Sequence, residues 1–319
     1  MWSVRTGSRL HLGLLTLPPT TAERRFGGVG LMIDSPGVAV RAESSPDWVV
    51  EGPHRERVAD IIRSLESALR EREPGLALEP RRVVVDHAPP EHVGLGTGTQ
   101  LALAVARLLT RSWGRHDPAS DLAGLVKRGA RSALGVHGFD RGGFLVEGGK
   151  GPGQALSPLV ARMDFPASWR ILVVVPPGEV GKHGQAERAA FADLVEPCGA
   201  SDRLCRLVLL GVLPALADAD LPAFGEAVHE FNARAGDLFA PVQGGTYAGE
   251  AVAHAVAGLL RLGVAGVGQS SWGPGVFGFV ADEDEANRLA ARVRAWAGFG
   301  DASVWVARGW NARDVERHP

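Results

Sequence analysis

The stretch that most constrains this chain is Pro89-Pro90-Glu91-His92-Val93-Gly94-Leu95-Gly96-Thr97-Gly98-Thr99-Gln100. A β-type run at 82–86 leads into it, and an apolar run at 101–109 leaves it. Strand, glycine-rich loop and buried helix in this order form the layout of a phosphate cradle. Glycines let backbone N–H groups approach an anion, and the helix start adds partial positive charge. Thr97 and Thr99 can cap the helix or bond a phosphate oxygen. Glycines at 94, 96 and 98 serve a tight turn before a core helix equally well, so the loop alone leaves both readings open.

The other segments add strands and helices around it. Alternation at 9–15 puts Arg9 and His11 on one strand face and Leu10 and Leu12 on the other. A glycine-rich run at 26–30 holds Gly28 and precedes a strand at 31–33, and further strands are expected at 37–42 and 47–51. Apolar residues at helical spacing predict an amphipathic helix over 55–73, and another helix is expected over 121–132. The run at 134–149 sets His137, Asp140 and Arg141 between glycines and reads as a loop ahead of a strand, a common site composition. A solvated turn has the same composition.

A soft boundary near Pro166 divides the chain into 1–165 and 166–319. The second part reads as a strand at 169–176, helices near 185–195, 202–217, 221–239 and 247–262, a strand–turn–strand unit at 263–280, a helix at 284–296 and a last strand at 302–307. That order is the split-βαβ order of a ferredoxin-like sheet.

Composition sets limits. The chain has 319 residues, 45% hydrophobic and 22% charged, enough for two modest domains or one large one. A net charge of −2 gives no global field for nucleic acid or membrane. No apolar run is long enough for a transmembrane helix, and the start has no signal-peptide profile, so a cytoplasmic protein is expected. Cys198 and Cys205 form no zinc or redox motif.

The stretches Pro90 through Gly98, Arg9-Leu10-His11-Leu12-Gly13-Leu14, Phe26-Gly27-Gly28-Val29-Gly30-Leu31, Gly135-Val136-His137-Gly138-Phe139 with Arg141-Gly142-Gly143-Phe144, and Gly268-Gln269-Ser270-Ser271-Trp272-Gly273-Pro274 resemble the GHMP kinase superfamily. Within it they are most similar to the β-ribofuranosylaminobenzene 5′-phosphate synthases. The resemblance covers nearly the whole chain. It implies an α+β, two-domain GHMP-kinase-like fold, with an N-terminal βαβ-type domain, a C-terminal ferredoxin-like domain and the site in the cleft between them. It also implies a pentosyltransferase of methanopterin biosynthesis that joins 4-aminobenzoate to phosphoribosyl diphosphate with release of CO2 and diphosphate. Mg2+ is the expected cofactor, small molecules are the expected partners, and a homodimer is compatible with the family. Against the kinase pattern, Ser8 stands at the lysine position, Leu14-Leu15 replaces Glu-His, and Thr97-Gly98-Thr99-Gln100 replaces the Ser-Ser-Ala ending. An ATP-dependent small-molecule kinase is the alternative, and a non-catalytic metabolite-binding protein a second.

The chemistry assigns expected roles. Gly94, Leu95, Gly96, Thr97, Gly98, Thr99 and Gln100 hold the diphosphate or the 5′-phosphate. Asp140 is the expected metal ligand, or a carboxylate facing developing positive charge, with turn capping as its structural role. Arg9 or Arg141 orients the acceptor's carboxylate. His11 and His137 bond ribose hydroxyls or move a proton. Gly28, Gln269, Ser270 and Ser271 border the substrate, and Lys182 with His183 suggests a lid.

Overall fold

The computed structural model describes residues 1–17, 24–178, 194, 197, 199–296 and 303–311. The expected helix near 185–195, apart from Leu194, and the Lys182–His183 loop lie outside the described residues.

The first half is built on a six-stranded sheet. Its strands are β1 (Trp2–Leu14), β2 (Gly28–Ser44), β3 (Val49–Glu51), β4 (Arg81–His87), β5 (Phe144–Glu147) and β6 (Leu159–Met163). The path runs β3-β4-β2-β5-β6, with β1 paired to β2. The strands expected at 31–33 and 37–42 are one continuous β2, because the two pieces share β1 as their antiparallel partner. β3 and β4 are parallel and are joined through α1 (Arg55–Arg72), whose Val58, Ile61, Ile62, Leu65 and Leu69 face the core. α2 (Thr97–Ser112) is buried along most of its length, since Leu101 through Ala106 lack exposed charge.

Two local expectations are corrected. The helix expected over 121–132 is the short α3 (Ala119–Leu125), after which Lys127 and Gly129 take left-handed backbone angles and end it. The glycine-rich run after it is a helix, α4 (Leu134–Arg141), not a loop. Gly135 and Gly138 let that helix lie close to its neighbours. A Cβ at 138 would come within 2.5 Å of Met32 on β2, and one at 135 within 3.2 Å of the Gln100 amide.

The second half has a four-stranded antiparallel sheet of β7 (Arg170–Val175), β8 (Ala265–Gln269), β9 (Val276–Val280) and β10 (Ser303–Ala307). Its order, β10-β7-β9-β8, is the ferredoxin-like order. Its helices are α5 (Ala200–Leu207), α6 (Leu213–Ala217), α7 (Leu221–Asp237), α8 (Ala240–Gln243), α9 (Glu250–Arg261) and α10 (Glu283–Arg294). A π-helical turn at Val208–Val212 joins α5 to α6. The described residues therefore form an α+β fold with two sheets. No helix among the described residues is long and apolar enough to cross a membrane.

One apolar core runs through both halves. Leu10, Leu12, Val29 and Phe144 of the first sheet pack with Phe165, Phe224, Phe231, Phe277 and Phe279. Phe224 is the centre of this contact: its ring lies 5.9 Å from that of Phe144 and 5.1 Å from that of Phe279. Aromatic pairs at this spacing add to the burial of apolar area.

Candidate functional site

β1 is met by loops from both halves. Arg9 N–H donates to Leu95 O at 2.9 Å, and His11 N–H donates to Ser270 Oγ at 2.9 Å. Ser271 N–H returns a bond to His11 O at 3.0 Å, while Ser270 Oγ–H donates to Gly94 O at 2.6 Å. Asn232 of α7 completes the clamp. Its Nδ2 donates to Leu12 O and Gln269 O, and its Oδ1 accepts from Gln269 N–H. The two glycine loops also touch backbone to backbone: a Cβ on Gly273 would stand 2.1 Å from Gly94 N, and one on Gly94 would stand 2.3 Å from Ser270 O. Glycine at 94 and 273 thus serves close approach between loops.

A cavity of about 350 Å³ opens beside this junction. Arg9, His11 and Thr99 line it from the first half, with Lys127, Arg128 and Arg131 from the segment after α3. Gln269 at the end of β8 and Ser271 and Trp272 of the turn after it line the cavity from the second half, with Asn232 of α7 and Phe239 between α7 and α8. Among the described lining residues there are four Arg or Lys side chains and no Asp or Glu. Aromatic rings border the same space, Phe26 from the first half and the edge-to-face pair Phe239 and Trp272, 5.2 Å apart, from the second.

The electrostatics follow from burial. His11 is held well below the ordinary histidine range, first by desolvation and then by the neighbouring Arg9 cation, so its imidazole is neutral at pH 7. Arg9 lies against Gly96 at the N-terminal end of α2, where a Cβ would fall 3.1 Å from Nε and 3.4 Å from a terminal guanidinium nitrogen. A guanidinium beside a helix start concentrates positive potential at one point. Burial and Arg57 both disfavour the charge on Arg128, whose Nε is buried without a hydrogen-bond partner. Lys127 and Ser271, both lining the cavity, are non-glycine residues with left-handed backbone angles, φ 54° and φ 58°. Such conformations cluster at sites.

The structure brings together Arg9, His11, Thr99, Gln269 and Ser271 of the expected residues. Several others lie elsewhere. Asp140 faces Arg107, with an ion pair of 2.6 Å, and its other oxygen accepts from Ala119 N–H at the start of α3. It is a helix-capping carboxylate, because α4 turns it toward α2 and α3. His137 Nε2 bonds Ser157 O at 2.8 Å, and Arg141 is exposed at the end of α4. Gln100 is fully buried, accepting from Thr6 Oγ1 and donating to Gly135 O. Thr97 Oγ1 donates to Pro90 O and does not cap α2. Ser270 is a buried clasp, and Gly28 lies in β2 behind His11. Gly94, Leu95, Gly96 and Gly98 shape the loop without lining the cavity.

Sequence reading missed Lys127, Arg128, Arg131, Asn232, Phe239 and Glu147. The signal for the first three was present: three cations in five residues, broken by Gly129, just past a helix end. No described group of three or more His, Cys, Asp or Glu could hold a metal ion, and the described cavity lining has no carboxylate.

The family model for the GHMP kinases N terminal domain matches residues 57–148, and that for GHMP kinases C terminal matches residues 212–297. A β-ribofuranosylphenol 5′-phosphate synthase of Methanothermobacter thermautotrophicus is 33% identical over 307 residues, covering 90% of this chain and 91% of that protein. The chain belongs to this synthase family. A protein of the same name from Archaeoglobus fulgidus is 32% identical, covering 72% of this chain and 74% of its own length. Among solved structures, the Streptococcus pneumoniae phosphomevalonate kinase superposes with a TM-score of 0.66 at 14% identity, covering 96% of this chain and 98% of its own. That likeness concerns the fold, and it sets the family within the GHMP kinase architecture. The names of the relatives specify a ribosylphenol, where the sequence resemblance had suggested a ribosylaminobenzene.

Proposed function

We propose that this chain makes an aryl C-riboside 5′-phosphate, joining C1 of phosphoribosyl diphosphate to a para-substituted benzoate with loss of CO2 and diphosphate. The observation that carries the reading is a cavity whose charged lining residues are all Arg or Lys and whose remaining wall includes aromatic rings. A donor with one phosphate and one diphosphate matches Arg9, Lys127, Arg128 and Arg131, while a flat benzoate matches Phe26, Phe239 and Trp272.

The residues suit the chemistry. Breaking the C1–diphosphate bond leaves an oxocarbenium-like centre and a highly charged leaving group. Fixed cations at a helix start stabilise that charge where it develops. Holding the ring over C1 turns a bimolecular encounter into an oriented one. The neutral His11 imidazole stands on the β1 face that reaches this space and can accept a proton. Mg2+ carried on the donor's diphosphate belongs to this reading, and these cations supply the chain's own share of the charge neutralisation. The same reading makes the protein a cytoplasmic pentosyltransferase of methanopterin biosynthesis, with self-association to be read by sedimentation.

The test supplies phosphoribosyl diphosphate and Mg2+ with either 4-hydroxybenzoate or 4-aminobenzoate and follows CO2 and diphosphate. Release of both products is expected with at least one acceptor. Folded protein that releases neither overturns the reading. Phosphoribosyl diphosphate should also raise the melting temperature more than ATP at equal concentration, since a ligand stabilises the native state it binds.

A further inference from the structure

Glu147 is the last residue of β5, and it is fully buried behind the cavity wall without lining the cavity itself. Its Oε2 accepts from Ala133 N–H at 2.7 Å, and its Oε1 is buried without a hydrogen-bond partner. Strand pairing brings Glu147 to the glycine that faces His11. Glu147 is the cross-strand partner of Gly28 on β2, and Gly28 is in turn the partner of Leu14 on β1, close to His11. A Cβ on Gly28 would lie 3.4 Å from His11 Nε2 and 3.5 Å from Glu147 Oε1. The missing side chain at 28 therefore leaves one gap flanked by the imidazole and the carboxyl. Arg9 and His11 are the ionisable groups that act on it from β1, Gly13 O borders the same gap at 3.2 Å from a Gly28 Cβ, and the Ser132 and Ser157 hydroxyls lie beside the Glu147 carboxyl and favour its charged form.

We propose that Glu147 is a positioning residue that balances the charge on His11 when His11 takes the proton from the hydroxyl of a phenolic acceptor. This rests on the function proposed above. A para-hydroxybenzoate attacks through the carbon bearing its carboxylate, and that carbon becomes strongly nucleophilic when the hydroxyl loses its proton. The proton passes to His11, and the electron pair on oxygen moves through the ring to form the bond to ribose C1. The C1–O bond breaks with its pair leaving on diphosphate. Loss of CO2 returns the C–C pair to the ring, and His11 gives the proton back to the oxygen. No oxidant or reductant is needed. Burial and Arg9 oppose a charge on His11, so an anion across the gap supplies what the site otherwise lacks. Burial also pushes the Glu147 carboxyl up to about 7, which lets it change charge in the working range. An aminobenzoate has no such requirement, because its nitrogen lone pair conjugates without losing a proton.

The test compares wild type with Glu147→Gln on 4-hydroxybenzoate and on 4-aminobenzoate. The expected result is a loss of tenfold or more in kcat on the hydroxy acceptor against about twofold on the amino acceptor, with KM for phosphoribosyl diphosphate little changed. The rise of kcat through about pH 7 on the hydroxy acceptor should disappear. Equal losses on both acceptors would mark Glu147 as merely structural and overturn the proposal. A second measurement needs no turnover: the ultraviolet spectrum of 4-hydroxybenzoate bound in the presence of diphosphate. A phenolate band is expected with wild type and not with Glu147→Gln. The same spectrum with both proteins, or no phenolate with wild type, overturns the role of Glu147. Absence of product from wild type with either acceptor instead overturns the proposed reaction.

Discussion

Residues 94–100 and 134–143 have similar compositions, each mixing glycine with hydroxyl, amide or ionisable side chains, and each comes just before or after a core element. The first puts Thr99 at a cavity and seats Arg9 against Gly96. The second is mostly a helix whose His137 and Asp140 are satisfied by Ser157 O, Arg107 and Ala119 N–H. Glycine in the first region makes room for another loop and for a guanidinium. Glycine in the second makes room for Met32 and the Gln100 amide. Composition alone therefore does not separate a site from close packing. What separates them is adjacency to β1, the strand that both halves grip.

The comparison can be broken by substitution. Arg9→Met should lower kcat/KM by a hundred- to a thousandfold, about the loss for one preorganised charge-stabilising donor, with the melting temperature nearly unchanged. A loss under fivefold would remove β1 from the centre of the site.

The next effect concerns pH. Glu147 rises from an ordinary 4.5 to about 7 on folding, so the folded state binds the proton more tightly. Its destabilisation is absent below about pH 4.5, grows between about pH 4.5 and 7, and levels off above 7 at about 3 kcal/mol. Denaturant unfolding at pH 5 and pH 8 should show that loss in wild type and much less of it in Glu147→Gln. Equal slopes in the two proteins would show that the carboxyl is solvated.

Asp140→Asn should cost about 1–2 kcal/mol of stability through the weakened Arg107 pair, with kcat within twofold of wild type. A large fall in kcat with intact stability would return Asp140 to the site and erase the contrast between the two regions. The smallest effect is expected at Gly135→Ala, where helix propensity gains and the Gln100 amide is pressed. A net loss under about 1 kcal/mol should appear in the urea midpoint.

Much of the architecture was legible because the signals were local and strong. The heptad-like apolar spacing of α1, the valine run of β4 and the strand–helix order of the second half all follow from period and punctuation. Arg9 and His11 were legible for the same reason, as alternation places them together on one strand face. Asp140 was misplaced because 134–141 has two glycines, which lower helix propensity, and only packing against α2 and β2 makes that helix form. Lys127, Arg128 and Arg131 read as the polar face of a longer helix, and the left-handed turn at Lys127 that swings them to the cavity is a tertiary outcome. Glu147 fell inside the run at 134–149, where no periodicity marks a buried carboxyl. Its burial and its alignment with Gly28 exist only once β1, β2 and β5 are side by side.

The contact between Gly94 and Gly273 has a consequence for how the sequence can change. Each position already carries the smallest side chain, and what a Cβ would strike is the main chain of the other loop. No second substitution can relieve the first, because there is nothing left to trim. The two positions, 179 residues apart in the chain, thus form a single locus that random drift cannot cross by compensation. In a saturation library selected for function, both should tolerate only glycine, and pairs of changes at the two sites should fare no better than either change alone.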